Sequence, residues 1–349
     1  MGRGKIKAVD LFCGAGGLTK GLRDAGIAVT LGIDVDPSCR YPFETNNRGV
    51  EYMLADVRAV VVDTLENAWK RADIKLLAGC APCQPFSTYT QGLDRGVDGQ
   101  WCLLRTFARL VEHSNPHIVT MENVGSLARH PIFEEFCGVL VGAGYELVWE
   151  ILDCRDYGVP QSRRRLVLIA SRLGKPKLPQ KSRAKKAFTV RDCIGNLPAI
   201  EAGKADASDR LHVCSRLTPL NMKRMKSSTP GGSWRNWPAK LVAPCHKRET
   251  GQSYPAVYGR MNWDEPAPTI TGQCYGFGNG RFGHPQQDRA ISLREAALLQ
   301  SFPMNYEFVP PEKPVRFTEV GLMIGNAVPP KLAEAVGRAI VNHVSKYVR

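Results

Sequence analysis

The segment Gly79-Cys80-Ala81-Pro82-Cys83-Gln84-Pro85-Phe86-Ser87 follows the apolar run Ile74 to Ala78 and sets a thiol between two prolines. The Cys80-x-x-Cys83 spacing admits three chemistries. A zinc half-site needs a second pair of ligands at suitable spacing, and no other C-x-x-C occurs in the chain. A thioredoxin-like pair opens a helix early in a small domain, whereas here Pro85 and a polar run follow. The third chemistry is that of a nucleophile at the C-terminal end of a strand, the edge where α/β sheets bind ligands. The loop beyond it, Gln84 to Gln100, is polar and contains Gly92, Gly96 and Gly99, a composition suited to a closing lid.

A second group of residues has the makings of a nucleoside pocket. Val9 to Phe12 reads as a strand running into the turn Cys13-Gly14-Ala15-Gly16-Gly17 and then a helix. Glycines there let a ligand approach the backbone, and a helix N-terminus offers unbonded N–H groups. The turn is not the dinucleotide fingerprint, because Thr19 stands where the third glycine or alanine would be. By itself it is equally well a tight structural turn. The next strand ends Gly32-Ile33-Asp34, placing a carboxylate where a ribose diol would lie, and Asp56 closes Tyr52-Met53-Leu54-Ala55 where it could accept from an adenine amino group.

These side chains need a scaffold that gathers strand ends, and the pattern up to about residue 170 supplies one. Apparent strands run over Ile6 to Phe12, Ala28 to Ile33, Ile74 to Ala78, His117 to Met121, Tyr145 to Leu152 and Leu166 to Ala170. Amphipathic stretches such as Leu18 to Ala25 and Leu103 to His113 lie between them, and Asp36-Pro37 reads as an N-cap with proline at the first helical position. Alternating strand and helix implies an α/β fold with a mainly parallel, doubly wound sheet covered on both faces. From 172 the chain changes character, becoming rich in Pro, Gly, Ser and Lys, with turn-forming stretches STPGGSWRNWP and GFGNGRFGHP. Helical character returns at Ser292-Leu293-Arg294-Glu295, a capping box, and after Pro329-Pro330. Composition and patterning therefore divide the chain into three parts, 1–171, 172–288 and 289–349.

Charge is partitioned along the same boundary. The net charge is +14, and residues 172–288 hold 20 Lys and Arg against 8 Asp and Glu, so nearly all of the excess lies in one third of the 349 residues. Such localisation is the footprint of a polyanion-binding surface, with a generally solvated face as the bland alternative. No window approaches 18 uninterrupted apolar residues, the N-terminus lacks a signal-peptide apolar stretch, and the eleven cysteines are scattered. A soluble cytoplasmic protein with reduced thiols, no membrane association and no metal is the expectation.

The motifs together resemble those of the DNA cytosine-5 methyltransferases. DLFCGAGG at 10–17, GIDVD at 32–36, Asp56-Val57, PCQPFS at 82–87, MENV at 121–124, QSRRR at 161–165, LREAALLQSFP at 293–303 and GNAVPP at 325–330 occur in the family's order. The resemblance implies the S-adenosylmethionine-dependent methyltransferase fold, with 1–171 for catalysis and cofactor, 172–288 as a small, loop-rich, basic target-recognition domain and 289–349 returning to the first. It also implies transfer of a methyl group from S-adenosylmethionine to C5 of a flipped-out cytosine in duplex DNA. Cys83 would be the nucleophile that adds to C6. Addition pushes charge towards N3, and Glu122, carrying a proton at the end of an apolar strand, would donate there. Alone, Glu122-Asn123 would read as a capping turn. Arg163 and Arg165 alternate on the approach to a strand and so are expected on one side, near cytosine and thiol, unless they are ordinary surface charges.

For the cofactor the resemblance implies Phe12, Ala15, Gly17, Asp34, Val35, Asp56, Val57, Pro82, Leu103, Asn326 and Ala327. Three departures stand out: Ala327 where some members have serine, Asp34 where many have glutamate, and Ala81 before Pro82 where proline or an aromatic is common. DNA contacts would fall to Gln84, Ser87, Arg235, Thr269 and Thr271. Arg235 lies between Trp234 and Trp237, which could read DNA or form a small core, and Thr269 and Thr271 could equally sit on a plain edge strand. Rival readings are a tRNA cytosine-5 methyltransferase of the same fold, a non-catalytic DNA-binding relative and a cysteine-dependent redox enzyme. The first strand begins within ten residues of Met1, which favours a compact, monomeric modification enzyme of a prokaryotic or phage-infected cell. Its partners would be double-stranded DNA and a separately encoded restriction endonuclease. The target sequence is not legible.

Overall fold

Strands of this chain are short apolar runs, and the sheet they build is ordered by burial on both faces. The computed structural model describes residues 5–82, 97–182 and 186–348, with side chains from 102 onward in the second stretch. Contacts divide the chain into two units: Met1–Tyr157, Arg164–Ser182 and Ala327–Arg349 form the first, Gly158–Arg163 and Arg183–Asn326 the second.

The first unit holds a seven-stranded sheet built from β1 (Ile6–Leu11), β2 (Ala28–Asp34), β3 (Glu51–Leu54), β4 (Ile74–Gly79), β5 (Ile118–Val124), β6 (Glu146–Asp153) and β8 (Arg164–Ser171), in the order β3-β2-β1-β4-β5-β8-β6. Neighbours from β3 to β5 are parallel, and β8 runs antiparallel to both β5 and β6. The expectation of a mainly parallel α/β sheet therefore holds. Sequence patterning misses β3, whose four residues include exposed Glu51 and Leu54. It also misses the helix α5 (Pro131–Gly142), which opens with proline after a His130 side-chain cap.

Alternation along the strands separates two helix layers. Val9, Leu11, Leu77, Val119, Met121 and Leu168 point into a core with Leu65, Phe107 and Phe136, which belong to α3 (Val62–Ala68), α4 (Val97–Ser114) and α5. On the other face α1 (Gly17–Asp24) packs along α10 (Pro330–Val344). A short hollow there is lined by Leu18, Thr120, Glu122, Val167, Leu332 and Ala333. The expected Asp36 cap is present: its carboxylate accepts from Ser38 N–H at 2.9 Å ahead of a single 3-10 turn, Pro37–Cys39, that leads into α2 (Arg40–Asn46). No helix among the described residues is long and apolar enough to cross a membrane.

The second unit has little regular structure. A two-residue pairing joins β7 (Gln161–Ser162) to β9 (Ala267–Pro268), and the unit has four short helices, α6 (Val190–Ile194), α7 (Pro219–Ser227), α8 (Leu293–Leu299) and α9 (Phe317–Asn326), with a series of 3-10 turns between α7 and α8. Trp234 and Trp237 are buried with Met225, Leu241 and Phe277, so the core reading of these tryptophans is the one observed. Arg260 acts as a buried hub, donating to the carbonyls of Met225, Ser228, His284 and Gln287. The capping box of α8 is real, and its Glu295 also accepts two bonds of 2.7 Å from the fully buried Arg289. Burial alone would raise that carboxyl, but the arginine bonds and charge prevail and hold it below its ordinary range. The compact units do not divide at 288. Residues 289–326, with α8 and α9, pack in the second unit, and 158–163 join them; only Ala327 onward belongs with the sheet.

The α1–α10 contact leaves no room for a side chain. A Cβ on Gly21 would lie 2.4 Å from Ala333 Cβ and from Pro330 O, whereas one on Gly138 in α5 meets nothing within 4 Å. Helix propensity favours alanine over glycine at either position by about 1 kcal/mol. Gly138→Ala should therefore stabilise by about 0.5–1 kcal/mol, and Gly21→Ala should destabilise by about 1–3 kcal/mol because overpacking outweighs propensity. Urea midpoints at unchanged slope read both, and a stabilised Gly21→Ala would contradict the packing.

Candidate active site

Side chains at the C-terminal edge of the sheet are positioned by strand register. The turn after β1 enters unusual backbone space, with φ of 59° at Phe12, 48° at Gly14 and 90° at Gly16. Glycine alone adopts such angles without strain, which explains the two glycines. Asp34 at the end of β2 ties this turn down: Gly14 N–H donates to its Oδ2 at 2.8 Å and Asp36 N–H to its Oδ1 at 2.9 Å. Burial pushes the Asp34 carboxyl above its ordinary value, a trend these backbone donors oppose. Beside it Val35 is 67% exposed, an apolar face left open at the strand end. Asp56 caps the 3-10 turn Val57–Ala59 and is bonded by Arg58 N–H at 2.8 Å and Nε at 2.9 Å, and the Arg58 side chain holds it below the usual carboxylate range.

Two strands along, Glu122 forms a second cluster. Gly79 of β4 pairs with Met121 of β5, so Cys80 arrives level with Glu122, and its thiol donates to Glu122 Oε2 at 3.0 Å. On the other side β8 pairs Val167 with Glu122, which puts Arg165 on the same face one pleat along. Arg165 Nε lies 3.0 Å from Glu122 Oε1, both side chains being largely buried. That contact is ionic in distance but is not aligned as a hydrogen bond, since Oε1 has no hydrogen-bond partner. The neighbouring Asn123 is buried and donates from Nδ2 to Ala81 O at 3.0 Å, holding the start of the loop that leads to Cys83.

Cys83, Gln84 and Ser87 themselves lie outside the described residues. Pro82 is exposed, Ala15, Gly17 and Val57 are buried, and Phe12 and Leu103 are half-buried. Ala327 is half-buried at the approach to α10 in the first unit, while Asn326 is exposed at the end of α9 in the second.

Arg163 departs from the expectation that it and Arg165 lie on one side of a single strand. The chain leaves the β7 pairing after Ser162 and enters β8 at Arg164, so no common strand carries the two and the period-two argument does not apply. Arg163 is buried in the second unit and donates to Ile270 O at 2.9 Å and Gly325 O at 3.1 Å. Gln161, which motif reading passed over, accepts from Ile270 N–H at 3.0 Å and donates to Leu299 O at 2.8 Å. Together they brace the Thr269–Thr271 segment, where the Thr269 hydroxyl donates to Ser162 O at 2.7 Å. A Cβ on Gly325 would run into Thr271 backbone, so α9 ends directly against that segment. Arg235 stacks over Trp234 and donates to Gln252 O at 2.8 Å, which holds its exposed guanidinium in place.

No group of metal-ligating side chains is found among the described residues, and the ten described cysteines form no disulfide. His113 and His117, four apart, are spent on the backbone: His113 Nδ1 lies 2.7 Å from Arg109 O, and His117 Nδ1 accepts from Lys75 N–H at 3.0 Å.

Comparison with known proteins adds a direct finding. Residues 6–342 match the model of the C-5 cytosine-specific DNA methylases. The chain is 47% identical over 344 residues to the type II methylase M.HgiDII of Herpetosiphon aurantiacus, covering 97% of this chain and 95% of that protein. It is 29% identical to the type II methyltransferase M1.HphI of Haemophilus parahaemolyticus, covering 95% and 86%. Among solved structures, a protein encoded within an E. coli prophage superposes with a TM-score of 0.74 at 20% identity, covering 97% of this chain and 99% of that one. DNMT2 of Spodoptera frugiperda superposes at 0.62 and 16% identity, covering 98% and 100%.

One buried acid beneath the turn was not legible as such. Asp10 is fully buried, Thr19 Oγ1 donates to its Oδ2 at 2.7 Å, and its Oδ1 has no partner. Burial pushes its carboxyl up to about 7, with Thr19 opposing and Asp34 adding to the rise. The native state therefore keeps a proton that the unfolded chain releases above pH 4, so Asp10 favours folding below that pH and the advantage is lost as pH rises through 7. At one unit per 1.36 kcal/mol the swing is of order 4 kcal/mol. Asp10→Asn should abolish this component: its stability relative to wild type should climb between pH 4 and 8. A constant difference across that range would show that Asp10 is ionised throughout.

Proposed function

This chain belongs to the C-5 cytosine-specific DNA methylase family, and we propose that it modifies one specific duplex sequence through a covalent bond between Cys83 and C6 of a flipped-out cytosine. It is a DNA cytosine-5 methyltransferase with S-adenosylmethionine as methyl donor. The observation that carries the covalent reading is the Glu122 carboxylate, buried between Arg165 and Cys80 one strand from the chain that runs into Cys83.

The donor site suits a nucleoside. Left-handed Gly14 and Gly16 leave backbone open to a ligand, and a Cβ on Gly14 would meet nothing within 4 Å. Exposed Val35 offers an apolar face to an adenine ring, and Val57, buried, and Leu103, half-buried, are assigned to the same site by family resemblance. Asp34 has lone pairs beyond those used by Gly14 and Asp36, for ribose hydroxyls, and Asp56 can serve an amino group when Arg58 yields. Phe12, Ala15, Gly17, Pro82, Asn326 and Ala327 complete the set by family resemblance. When bound there, S-adenosylmethionine supplies an electrophilic methyl group for C5.

Cytosine C5 is a weak carbon nucleophile, and the chain's residues overcome this in a defined order. The Cys83 thiolate adds to C6, and the displaced electron pair moves through C5 and the ring towards N3. The Glu122 carboxyl, in its protonated form, hands its proton to N3, so charge develops against a group already in place, and the proton returns to Glu122 when the ring is restored. Arg165 pairs with Glu122 and keeps it from turning away. After methylation, loss of the C5 proton to a base expels the thiolate and restores the ring. Extruding the cytosine from the stack costs a few kcal/mol. By family resemblance Gln84, Ser87, Thr269 and Thr271 contact the DNA, and Arg163 braces the segment that carries the last two.

Sequence choice is assigned to the basic segment 172–288, where Arg235 is held rigid enough to read a base edge. The type II relatives support a restriction–modification setting; the reading is completed by a monomeric enzyme in a bacterial or phage-infected cytoplasm and a cognate endonuclease as a separate chain. The tRNA alternative is carried as the second arm of the assay.

Cys83→Ala should bind cofactor and DNA yet lose methyl transfer, and 5-fluorocytosine at the target should trap the wild-type enzyme covalently, because fluorine cannot leave as a proton does. Transfer of labelled methyl groups to duplex DNA and not tRNA is expected; turnover by Cys83→Ala would sink the covalent mechanism. Exchanging residues 190–285 for those of a relative should change the methylated sequence while leaving S-adenosylmethionine affinity unchanged. Arg235→Ala should cost about 1–3 kcal/mol of discrimination at one base position. A chimera that keeps its original target would place recognition elsewhere.

A further inference from the structure

Cys80 is the second thiol of the Cys80-x-x-Cys83 pair, and the covalent mechanism leaves it without a task. Its surroundings give it one. The sulfur sits 3.0 Å from Glu122 Oε2 in hydrogen-bonding geometry, so the S–H is used as a donor. Arg165, the obvious partner of Glu122, lies equally close to the other oxygen but off the hydrogen-bond line. The two neighbours therefore do different things. A guanidinium charge at 3.0 Å attracts the carboxylate from a range of angles, while an aligned donor fixes the plane of the group. Direction matters here because the terminal torsion of a glutamate is broad and roughly two-fold, so charge alone leaves that plane unset. The register brings the two residues level: Gly79 is opposite Met121, and the residue after each is Cys80 and Glu122.

We propose that the Cys80 thiol is a positioning group for Glu122, setting the plane of the carboxyl that meets cytosine N3 through its hydrogen bond to Oε2. The inference rests on the reading of Glu122 given above and adds a residue that acts through it. Cys80 does not touch the substrate and forms no bond in the reaction. Its thiol serves ground-state order of the acid, so its loss should appear in the chemical step and not in binding. A thiol is a weak donor, and the expected effect is correspondingly modest.

The test uses the full-length enzyme with saturating S-adenosylmethionine and a duplex carrying the target. Cys80→Ala should lower kcat about fivefold, within the range of a single hydrogen bond, with KM for both substrates unchanged within about twofold. Cys80→Ser, which restores a donor, should recover most of kcat. In a Glu122→Ala background, Cys80→Ala should add nothing further to the residual rate, because the group it positions is gone. Should the alanine variant fail to fold, Cys80→Val keeps the volume without the donor and takes its place in the cycle. The inference is overturned if kcat is unchanged in the donor-less variant, if serine is as impaired as alanine, or if the two losses multiply in the double variant. Those outcomes would leave Glu122 in its role. Full activity of Glu122→Gln alone would instead remove the reading on which the inference stands.

Discussion

The register of β5 between its two neighbours is the constraint on which the catalytic cluster depends. Parallel pairing with β4 sets Gly79 against Met121, and antiparallel pairing with β8 sets Val167 against Glu122. From these two alignments alone, Cys80 and Arg165 fall on opposite sides of one carboxylate. A one-residue slip of either strand would turn the partner side chain to the other face of the sheet. Such a slip is resisted because the neighbouring positions, Leu77, Val119, Met121 and Leu168, are packed into a fully buried core. The apolar interior thus fixes the polar site without touching it.

The polar groups of the first unit are likewise arranged to hold backbone in unusual places. Asp34 spends lone pairs on the left-handed turn, Asn123 spends an N–H pair on Ala81, and Asp10 leans on Thr19 beneath the turn. The first two hold stretches of chain that secondary structure leaves free, and the third ties the end of β1 to the start of α1 across the turn. Asp10 is the costly member, since burial with one unsatisfied oxygen penalises its charged form and pushes the carboxyl up to about 7. The opposed helix face is held just as closely by the glycine contact of α1 with α10.

In the second unit the positive charge has two distinct uses. Several of its arginines are interior: Arg224 and Arg260 are buried and donate to carbonyls, and Arg163 and Arg289 do the same work near the α8 and α9 segments. With few strands or long helices, this unit satisfies its loop carbonyls through guanidinium forks, which suit that task because they carry five donors in a fixed plane. The net excess read from the sequence therefore overstates the charge free to meet phosphates. The remainder, including Lys223, Lys240, Lys247, Arg235 and Arg248, is at or near the surface.

Much of the fold was legible in the sequence because the interior strands of the sheet are short apolar runs; the antiparallel edge strand β6, with exposed Glu146 and Glu150, was located as well, so six of the seven sheet strands could be read. β3 did not, since its outer residues face solvent and break the run. The ordered motifs identified the chemistry and its chief residues, because motif spacing fixes which groups leave which strand ends. Tertiary structure alone decided the rest. Only pairing across β4, β5 and β8 reveals that Cys80 meets Glu122 and that Arg165 does so from the opposite side, as these residues are up to 85 positions apart. Local alternation misled at Arg163, where a change of pairing partner between Ser162 and Arg164 is invisible in a run of three arginines. The tryptophans of the basic segment were open between core and contact until the fold gathered Met225, Leu241 and Phe277 around them. Sequence determines which groups are present and which strand end each leaves; which of them touch is a property of register and packing, which no local pattern encodes.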